Sequence, residues 1–196
     1  MVSAIVLAAG LSKRMGNENK LLLPYNDKTI IETTLQHLLD AGMEEIIVIT
    51  GHETKLVSTT IQHLPVTIMH NPFYEKGMTT SIQKGVETAT GKGYMICLAD
   101  MFSITDSEYQ SIRITFEKQL LNDERCICIP QYKNQKGNPV IFSTTYRADI
   151  LQHQEMEGCK AIVQQNKVHI HWVDMETPHI LEDIDYPEDY KKISME

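Results

Sequence analysis

Ser3-Ala-Ile-Val-Leu-Ala-Ala-Gly-Leu-Ser-Lys-Arg-Met-Gly-Asn-Glu-Asn-Lys-Leu-Leu-Leu-Pro24 is the segment around which the rest of the chain is arranged. Its first part is a continuous apolar run that ends at Gly10, as expected for a parallel strand covered on both faces. The carboxyl end of such a strand is where open α/β sheets bind ligands. The residues that follow are mostly small or basic and include Lys13, Arg14 and Lys20. Backbone N–H groups and three cations in one loop predict a site for a polyphosphate.

This loop differs from two well-known phosphate-binding loops. A P-loop carries Gly-Lys-Ser/Thr at a fixed distance after its first glycine, and a dinucleotide-binding loop carries Gly-x-Gly-x-x-Gly. Neither pattern occurs in residues 3–24. The segment is therefore either a phosphate loop of another kind or an ordinary surface turn with scattered cations.

The composition predicts one globular domain that acts on a small anionic molecule. At 196 residues with 42% apolar residues, the chain suits a single domain, residues 1–196, with a substantial core. Its formal net charge of −8, together with the lack of a basic run, argues against nucleic acid as a partner. A net acidic protein binds a polyanion only where cations are concentrated, so the loop also predicts a metal ion.

The four cysteines are predicted to be buried free thiols. They lack the paired Cys-x-x-Cys spacing of a zinc site, and three of them lie in or beside apolar strand-like runs. The chain shows no signal peptide and no apolar run of membrane-spanning length. These features predict a cytoplasmic protein with no membrane partner. The cysteines are Cys97, Cys126, Cys128 and Cys159.

The order of strands and helices predicts the fold class. After the first strand, Thr29 and Glu32 form a capping-box pattern that begins a helix. Residues 45–50 are a second strand, residues 54–64 a helix, and residues 66–69 a third strand. This alternation predicts an α/β fold whose mostly parallel, twisted sheet has helices on both faces.

A carboxylate follows the next predicted strand, residues 94–99, which is apolar until Asp100. Asp100 is therefore expected at the carboxyl end of its strand, at the same edge of the sheet as Gly10. It could cap a turn there, or it could bind Mg²⁺, which prefers oxygen ligands from one or two carboxylates together with phosphates.

Residues 71–85 place a glycine and three hydroxyl residues before an apolar-periodic helix. The N-terminus of that helix could face a bound anion. Alternatively, Thr79, Thr80 or Ser81 only caps the helix, which contributes about 1 kcal/mol to folding.

The second half of the chain adds a helix over residues 105–121 and strands over residues 126–130 and 168–173. His169 and His171 alternate with apolar residues in the last strand, so they are expected to face solvent rather than bind a metal.

Residues 7–24 resemble the signature Leu-Ala-Ala-Gly-x-Ser-x-Arg-Met-Gly-x-x-Asn-Lys-Leu-Leu-Leu-Pro of the molybdenum cofactor cytidylyltransferases. Further segments resemble the same family: Asn-Pro followed by Gly-Met-x-x-Ser in residues 71–81, Asp-Met at 100–101, and Asp-Ile-Asp-x-Pro-Glu-Asp at 183–189. The resemblance covers nearly the whole chain. It implies a single-domain, Rossmann-like nucleotidyltransferase fold.

The resemblance also implies a role for individual residues. Arg14, Lys20 and Asp100 would be catalytic: Arg14 binds the terminal phosphates and Lys20 neutralises charge on the α-phosphate. Asp100 and Asp185 would bind Mg²⁺, with Asp183 as the second choice for that ligand. The nucleotide-binding residues would be Leu7, Ala8, Ala9, Gly10, Arg14, Lys20, Asn71 and Ser81.

The reaction that the resemblance implies is transfer of CMP from CTP to the phosphate of the molybdenum cofactor, with release of pyrophosphate. A molybdenum hydroxylase would receive the product. No general base stands out, and none is needed for a phosphate nucleophile, whose second pKa is about 6. The enzymes that transfer GMP carry Leu-Ala-Gly-Gly, so Ala9 favours CTP.

Two departures from the family pattern leave alternatives open. Gly158-Cys159-Lys160-Ala161-Ile162-Val163 replaces Gly-Asp-x-Gly-Ala-Arg near the acceptor, and Phe102 replaces a proline. GMP transfer to the same cofactor, or CMP transfer to a sugar or polyol phosphate, are therefore alternatives. A carrier that presents the cofactor without catalysis is a third, although it would have no use for a triphosphate and metal site.

Overall fold

The computed structural model describes residues 1–16 and 18–193. The strands are β1 (Ser3–Ala8), β2 (Pro24–Tyr25), β3 (Lys28–Thr29), β4 (Glu45–Thr50), β5 (Thr67–His70), β6 (Gly93–Leu98), β7 (Ile127–Tyr132), β8 (Gln135–Lys136), β9 (Val140–Ser143) and β10 (Ile170–Asp174). The α-helices are α1 (Ile30–Asp40), α2 (Thr54–Ile61), α3 (Met78–Thr88), α4 (Asp106–Gln119), α5 (Arg147–Gln152), α6 (Lys160–Gln165) and α7 (Pro187–Ile193).

The main sheet of the described residues has eight strands in the order β10-β7-β9-β6-β1-β4-β5, with β8 paired to β7. β1 lies in the middle and is parallel to both of its neighbours, β4 and β6. β9 is antiparallel to β6 and β7, which makes the sheet mixed. The predicted mostly parallel sheet is confirmed.

The sheet is covered on both faces, because alternate residues of each strand point in opposite directions. Ala4 and Val6 of β1 belong to a core cluster with residues of α1, α2 and α4. Ile5 belongs to a second cluster with residues of α3, α5 and α6. This explains the continuous apolar run of β1 and confirms the predicted helices on both faces.

Two helices begin where their capping boxes predict. The Thr29 side chain accepts a hydrogen bond from the Glu32 backbone N–H, and the Glu32 carboxylate accepts one from the Thr29 backbone N–H at 2.8 Å. Thr105 and Glu108 form the same reciprocal pair at the start of α4. The helix ends were less predictable, since α2 ends at Ile61 rather than at residue 64.

α3 is fixed unusually close to the central strand. A Cβ atom on Gly85 would lie 2.2 Å from Cγ2 of Ile5, so only glycine permits this approach. The N-cap residue of α3 is Gly77, with φ of 108°, and it makes no side-chain capping bond. Capping by a hydroxyl residue was therefore wrong as an explanation of Thr79 and Ser81, because the helix begins before them.

The predicted thiols and histidines differ in outcome. Cys97, Cys126 and Cys128 are buried free thiols, as predicted, whereas Cys159 is half-buried. His169 and His171, which were expected to face solvent, are half-buried, and both lie 3.1 Å from the Asp123 carboxylate. His169 also lies in a 3-10 turn before β10 rather than in the strand.

Within the described ranges, no helix combines the length and apolar character needed to cross a bilayer.

Candidate active site

The register of the central strands brings three chain segments to one edge of the sheet. Leu7 of β1 is level with Leu98 of β6, and Ala8 is level with Thr50 of β4. The residues just after each strand, including Gly10 and Asp100, therefore emerge side by side. This is the edge at which ligands bind in open α/β sheets.

A cavity of about 420 Å³, here called the main cavity, opens at this edge. Its wall contains seven of the residues predicted to form the site, brought together from both halves of the chain. The N-terminal end of α3 contributes Gly77 and Met78 beside Ser81. The seven predicted residues are Leu7, Ala9, Gly10, Lys20, Ser81, Asp100 and Asp185.

Lys20 lies between two of the predicted carboxylates. Its Nζ atom forms an ion pair with Asp100, donates a hydrogen bond to the Ile184 carbonyl at 2.6 Å, and lies 3.3 Å from Oδ1 of Asp185. Burial lowers the pKa of Lys20, but the negative charges of Asp100 and Asp185 outweigh it and raise the pKa overall. The side chain therefore remains a cation at neutral pH.

Local contacts hold both Lys20 and the segment around Asp185 in place. Lys20 begins a 3-10 turn, in which the Asn19 side chain accepts a hydrogen bond from the Leu21 backbone N–H at 3.1 Å. Ile184 is buried in a small apolar cluster with residues of the loop, including Met15. Because Ile184 is buried, its neighbours Asp183 and Asp185 are held at the wall of the main cavity.

Three carboxylates meet at the cavity wall. Asp100, Asp183 and Asp185 can each direct one oxygen so that the three atoms lie within 4.8 Å of one another. Burial, followed by the charges of Asp100 and Asp185, raises the pKa of Asp183. Oxygen donors that repel one another in this way fit a hard divalent cation such as Mg²⁺.

Three other predicted site residues do not line the main cavity, whose wall is formed by the described residues. Ala8 is buried within β1. Arg14 is exposed, forms an ion pair with Asp185, and lies over the ring of Tyr186 at 5.5 Å. Lys13 was also expected to supply a cation, but its side chain lies outside the part of the chain that the structure describes.

Asn71, the third of these residues, lies behind the cavity with 2% of its surface exposed. Its Nδ2 donates to the hydroxyls of Thr80 at 2.9 Å and Ser81 at 3.0 Å, and its Oδ1 accepts from the Phe73 backbone N–H at 2.9 Å. Asn71 therefore orients Ser81.

Sequence reasoning missed Tyr74, which lines the main cavity beside Ala9. A Cβ atom on Gly51 would lie 2.6 Å from Cβ of Tyr74 and 2.8 Å from Cβ of Ala9. Gly51 therefore permits the contact between this tyrosine and the loop. The signal was a glycine immediately after a buried strand, at the same edge as Gly10.

A second cavity of about 430 Å³ adjoins the main cavity and shares Met78 and Leu98 with it. Lys136, Asn138 and Lys160 contribute polar groups to its wall. The apolar lining of this cavity was not predicted from the sequence, because its residues come from three strands and two helices that are far apart in the chain. The apolar lining includes Ile82, Ile96, Ile129, Val140, Phe142 and Val163.

Comparison with known proteins identifies the family. The MobA-like NTP transferase domain matches residues 4–170. The molybdenum cofactor cytidylyltransferase of Escherichia coli (strain K12) is 27% identical over 190 residues, which are 96% of this chain and 93% of the relative. A probable molybdenum cofactor guanylyltransferase of Bacillus cytotoxicus is 32% identical over 123 residues, 57% of this chain and 60% of the relative.

A solved structure supports the same fold. A nucleotidyl transferase from Methanothermobacter thermautotroptrophicus superposes with a TM-score of 0.84 at 24% identity, over 98% of this chain and 95% of the other. The match to the family model confirms the family inferred from residues 7–24. The chain belongs to the MobA-like NTP transferase domain family and is a nucleotidyltransferase.

Proposed function

We propose that the protein transfers CMP from CTP to the phosphate of the molybdenum cofactor, with Mg²⁺ and with release of pyrophosphate. The observation that carries this proposal is the contact of Lys20 with Asp100 and Asp185 beside the small-residue loop. Carboxylates of this kind can bind a metal ion, and a lysine beside them can bind the phosphates that the metal ion also contacts. The arrangement therefore suits a nucleoside triphosphate bound together with a divalent metal ion. The Escherichia coli relative, a molybdenum cofactor cytidylyltransferase, supports the choice of substrates.

The nucleotide lies in the main cavity. Small side chains at Ala9 and Gly10 allow the base and sugar to approach the main chain, and Leu7 supplies an apolar wall. Ser81 presents its hydroxyl from the first turn of α3, where backbone N–H groups and the helix dipole favour anions. Asn71 holds Ser81 in place, and Ala8 anchors the loop to the sheet.

The charged residues stabilise the reacting phosphates. Asp100 and Asp185 would hold Mg²⁺, with Asp183 as a third oxygen donor, since the three carboxylates lie together at the cavity wall. When bound, the ion neutralises triphosphate charge. Lys20 contacts the α-phosphate as negative charge develops there, and Arg14 turns from Asp185 to the terminal phosphates. Catalysis of this kind consists of positioning and charge stabilisation.

The transfer step exchanges one phosphorus–oxygen bond for another. An oxygen of the acceptor phosphate attacks the α-phosphorus in line, and the bond from that phosphorus to the bridging oxygen of pyrophosphate breaks. The acceptor monoester is largely dianionic at neutral pH because its second pKa is about 6. No proton has to be removed, which fits a site built from cations and metal-binding carboxylates.

The acceptor occupies the second cavity. This cavity meets the main cavity at Met78 and Leu98, so a bound acceptor can reach the α-phosphorus. Lys136 on its wall attracts an anionic molecule, and Lys160 adds to this when an anion displaces Glu157, its ion-pair partner at 2.9 Å on the same wall. The finished dinucleotide would then pass to a molybdenum hydroxylase.

Alternative substrates remain within the same chemistry. The methyl group of Ala9 favours a pyrimidine because it narrows the space beside the base, although one methyl group contributes only about 1 to 3 kcal/mol of discrimination. GMP transfer is the alternative if other residues determine the base. Cys159, Lys160 and Val163 of the altered segment line the second cavity, which keeps a sugar or polyol phosphate as an alternative acceptor. A non-catalytic carrier would not need the Lys20 contacts.

The test is pyrophosphate release. The purified protein is mixed with Mg²⁺ and molybdenum cofactor and offered CTP, GTP, ATP or UTP separately, with a control that lacks the cofactor. Cofactor-dependent release with CTP alone is expected. Preference for GTP would contradict the role of Ala9. Absence of release with every nucleotide would contradict the proposed acceptor.

A further inference from the structure

The loop between α5 and α6, residues 153–159, lies directly against the start of α3. Thr79 connects the two: its hydroxyl donates a hydrogen bond to the Glu155 carbonyl and accepts one from the Gly158 backbone N–H at 3.1 Å. The Met78 backbone N–H donates to the Met156 carbonyl at 3.1 Å. Thr79 is 5% exposed, so these contacts are shielded from water.

Two glycines make this close contact possible. A Cβ atom on Gly77 would lie 2.8 Å from the Met156 carbonyl oxygen. Gly158 has φ of +72°, and a Cβ atom there would lie 3.2 Å from Ile82 and from Met78. At Gly77 the loop backbone therefore lies directly against the helix backbone, whereas Gly158 packs against the side chains of Ile82 and Met78.

The contact spans the two cavities. Loop residues Met156, Glu157 and Cys159 line the second cavity, whereas Ser81, on the same helix turn as Thr79, lines the main cavity. A shift of the loop away from α3 would displace the wall of the second cavity without altering Lys20 or the carboxylates. Thr79 itself lines neither cavity among the described residues.

We propose that Thr79 is a positioning residue that sets the acceptor wall relative to the bound nucleotide. This inference rests on the proposed function, because it takes the second cavity as the acceptor site. The hydroxyl acts through the 153–159 loop and touches neither substrate. Its loss should weaken use of the acceptor and leave use of the nucleotide nearly unchanged.

The test compares Thr79→Val, which keeps the shape but removes the hydroxyl, with Thr79→Ser, which keeps the hydroxyl. For Thr79→Val, the KM for the acceptor should rise about tenfold, because a buried carbonyl and N–H lose their partner. The KM for CTP should change less than about twofold. Thr79→Ser should restore the acceptor KM. Thr79→Ala replaces the valine variant if the latter does not fold.

Thr88→Val is the matched control on the same helix. Among the described residues, the Thr88 hydroxyl donates within α3, to the Lys84 carbonyl at 3.0 Å, so its loss should leave both KM values unchanged. Amide hydrogen exchange at Gly158 provides a second readout that needs no substrate. It should accelerate about tenfold or more in Thr79→Val and remain slow in Thr79→Ser and Thr88→Val.

Three results would overturn the inference: an unchanged acceptor KM in a folded Thr79→Val protein, equal increases in both KM values, or failure of serine to restore the acceptor KM. If the wild-type protein releases no pyrophosphate with the molybdenum cofactor, the proposed function fails instead. Hydrogen exchange then still decides whether Thr79 holds the loop, and unchanged exchange at Gly158 would refute that.

Discussion

Replacement of Lys20 by methionine should slow turnover and, at the same time, tighten metal binding in the absence of nucleotide. Methionine keeps most of the apolar stem but removes the ammonium group that contacts Asp100 and Asp185. Removal of one preorganised electrostatic group typically costs about 10² to 10³ in kcat. The same removal takes away a cation that contacts two of the three clustered carboxylates, Asp100 and Asp185, which favours a divalent ion at that cluster.

The gain in metal affinity follows from the distances. Lys20 lies 3.3 Å from Asp185 and in direct contact with Asp100, so a metal ion on these oxygens would lie within about 4 to 6 Å of the ammonium. At an effective dielectric constant of about 20, that repulsion is about 3 to 4 kcal/mol per unit charge. Solvent and salt in the open cavity reduce it to about 1 to 2 kcal/mol, or roughly tenfold in Kd.

Two assays measure the opposite effects. Calorimetric titration with Mn²⁺ gives the metal Kd without nucleotide, and pyrophosphate release gives kcat. Lys84→Met is the matched control. Lys84 lies on α3, and among the described residues its ion-pair partner is the exposed Glu87, at 3.8 Å. A Lys20→Met protein that binds Mn²⁺ more weakly, or that turns over at the wild-type rate, would refute the role given to Lys20.

Three further predictions concern single side chains. Asp100→Asn should remain folded but lose at least about 10² in kcat, and its Mn²⁺ Kd should rise in the same calorimetric titration; normal turnover would exclude Asp100 as a metal ligand. Ala9→Gly should lower the ratio of CTP to GTP turnover by about tenfold, within the range expected for one methyl group, and an unchanged ratio would show that other residues select the base. Glu108 accepts hydrogen bonds from Thr177, Thr105 and His179; burial raises its pKa, but these hydrogen bonds together outweigh burial and lower the pKa from the ordinary 4.5. Glu108 should therefore stabilise the fold above pH 4.5 by about 1 to 2 kcal/mol over Glu108→Gln, an advantage that disappears as the pH falls through the lowered pKa; a constant difference in the free energy of unfolding between pH 7 and pH 3 would contradict this.

Local signals in the sequence were sufficient for much of the fold. The apolar run before Gly10, the capping boxes at Thr29 and Thr105, and the position of Asp100 each depend on a few neighbouring residues. The physical constraints that they reflect, such as burial on both faces of a strand and satisfaction of helix N–H groups, act within the same short segment. These features could therefore be predicted without a tertiary structure.

Features that join distant segments were not predictable in this way. The position of Lys20 between Asp100 and Asp185 depends on the burial of Ile184. Ile184 packs against Met15, and this contact places the segment that carries Asp185 beside the N-terminal loop. Asn71 could be associated with a nucleotide site only by resemblance, and the structure shows that it lies behind the main cavity and donates one hydrogen bond to Ser81 on the cavity wall. The interaction of the two histidines with a loop carboxylate depended likewise on tertiary contacts.

The second cavity shows the same limit. Many residues of its wall are apolar, and from the sequence alone they could only be predicted to lie in the hydrophobic core. Only the assembled sheet shows that some of them, such as Ile82 and Val163, line a cavity that adjoins the main cavity. The altered segment 158–163 could be noticed in the sequence, but its place on that wall required the structure.

The most direct measurement of the central claim follows the α-phosphorus of CTP. The protein is incubated with Mg²⁺, molybdenum cofactor and CTP that carries a radioactive label on the α-phosphorus, and the products are separated. Transfer of the label to the cofactor, in an amount equal to the pyrophosphate released, is predicted. Label that remains in CTP, or that appears only in free CMP formed by hydrolysis, would contradict transfer to this acceptor.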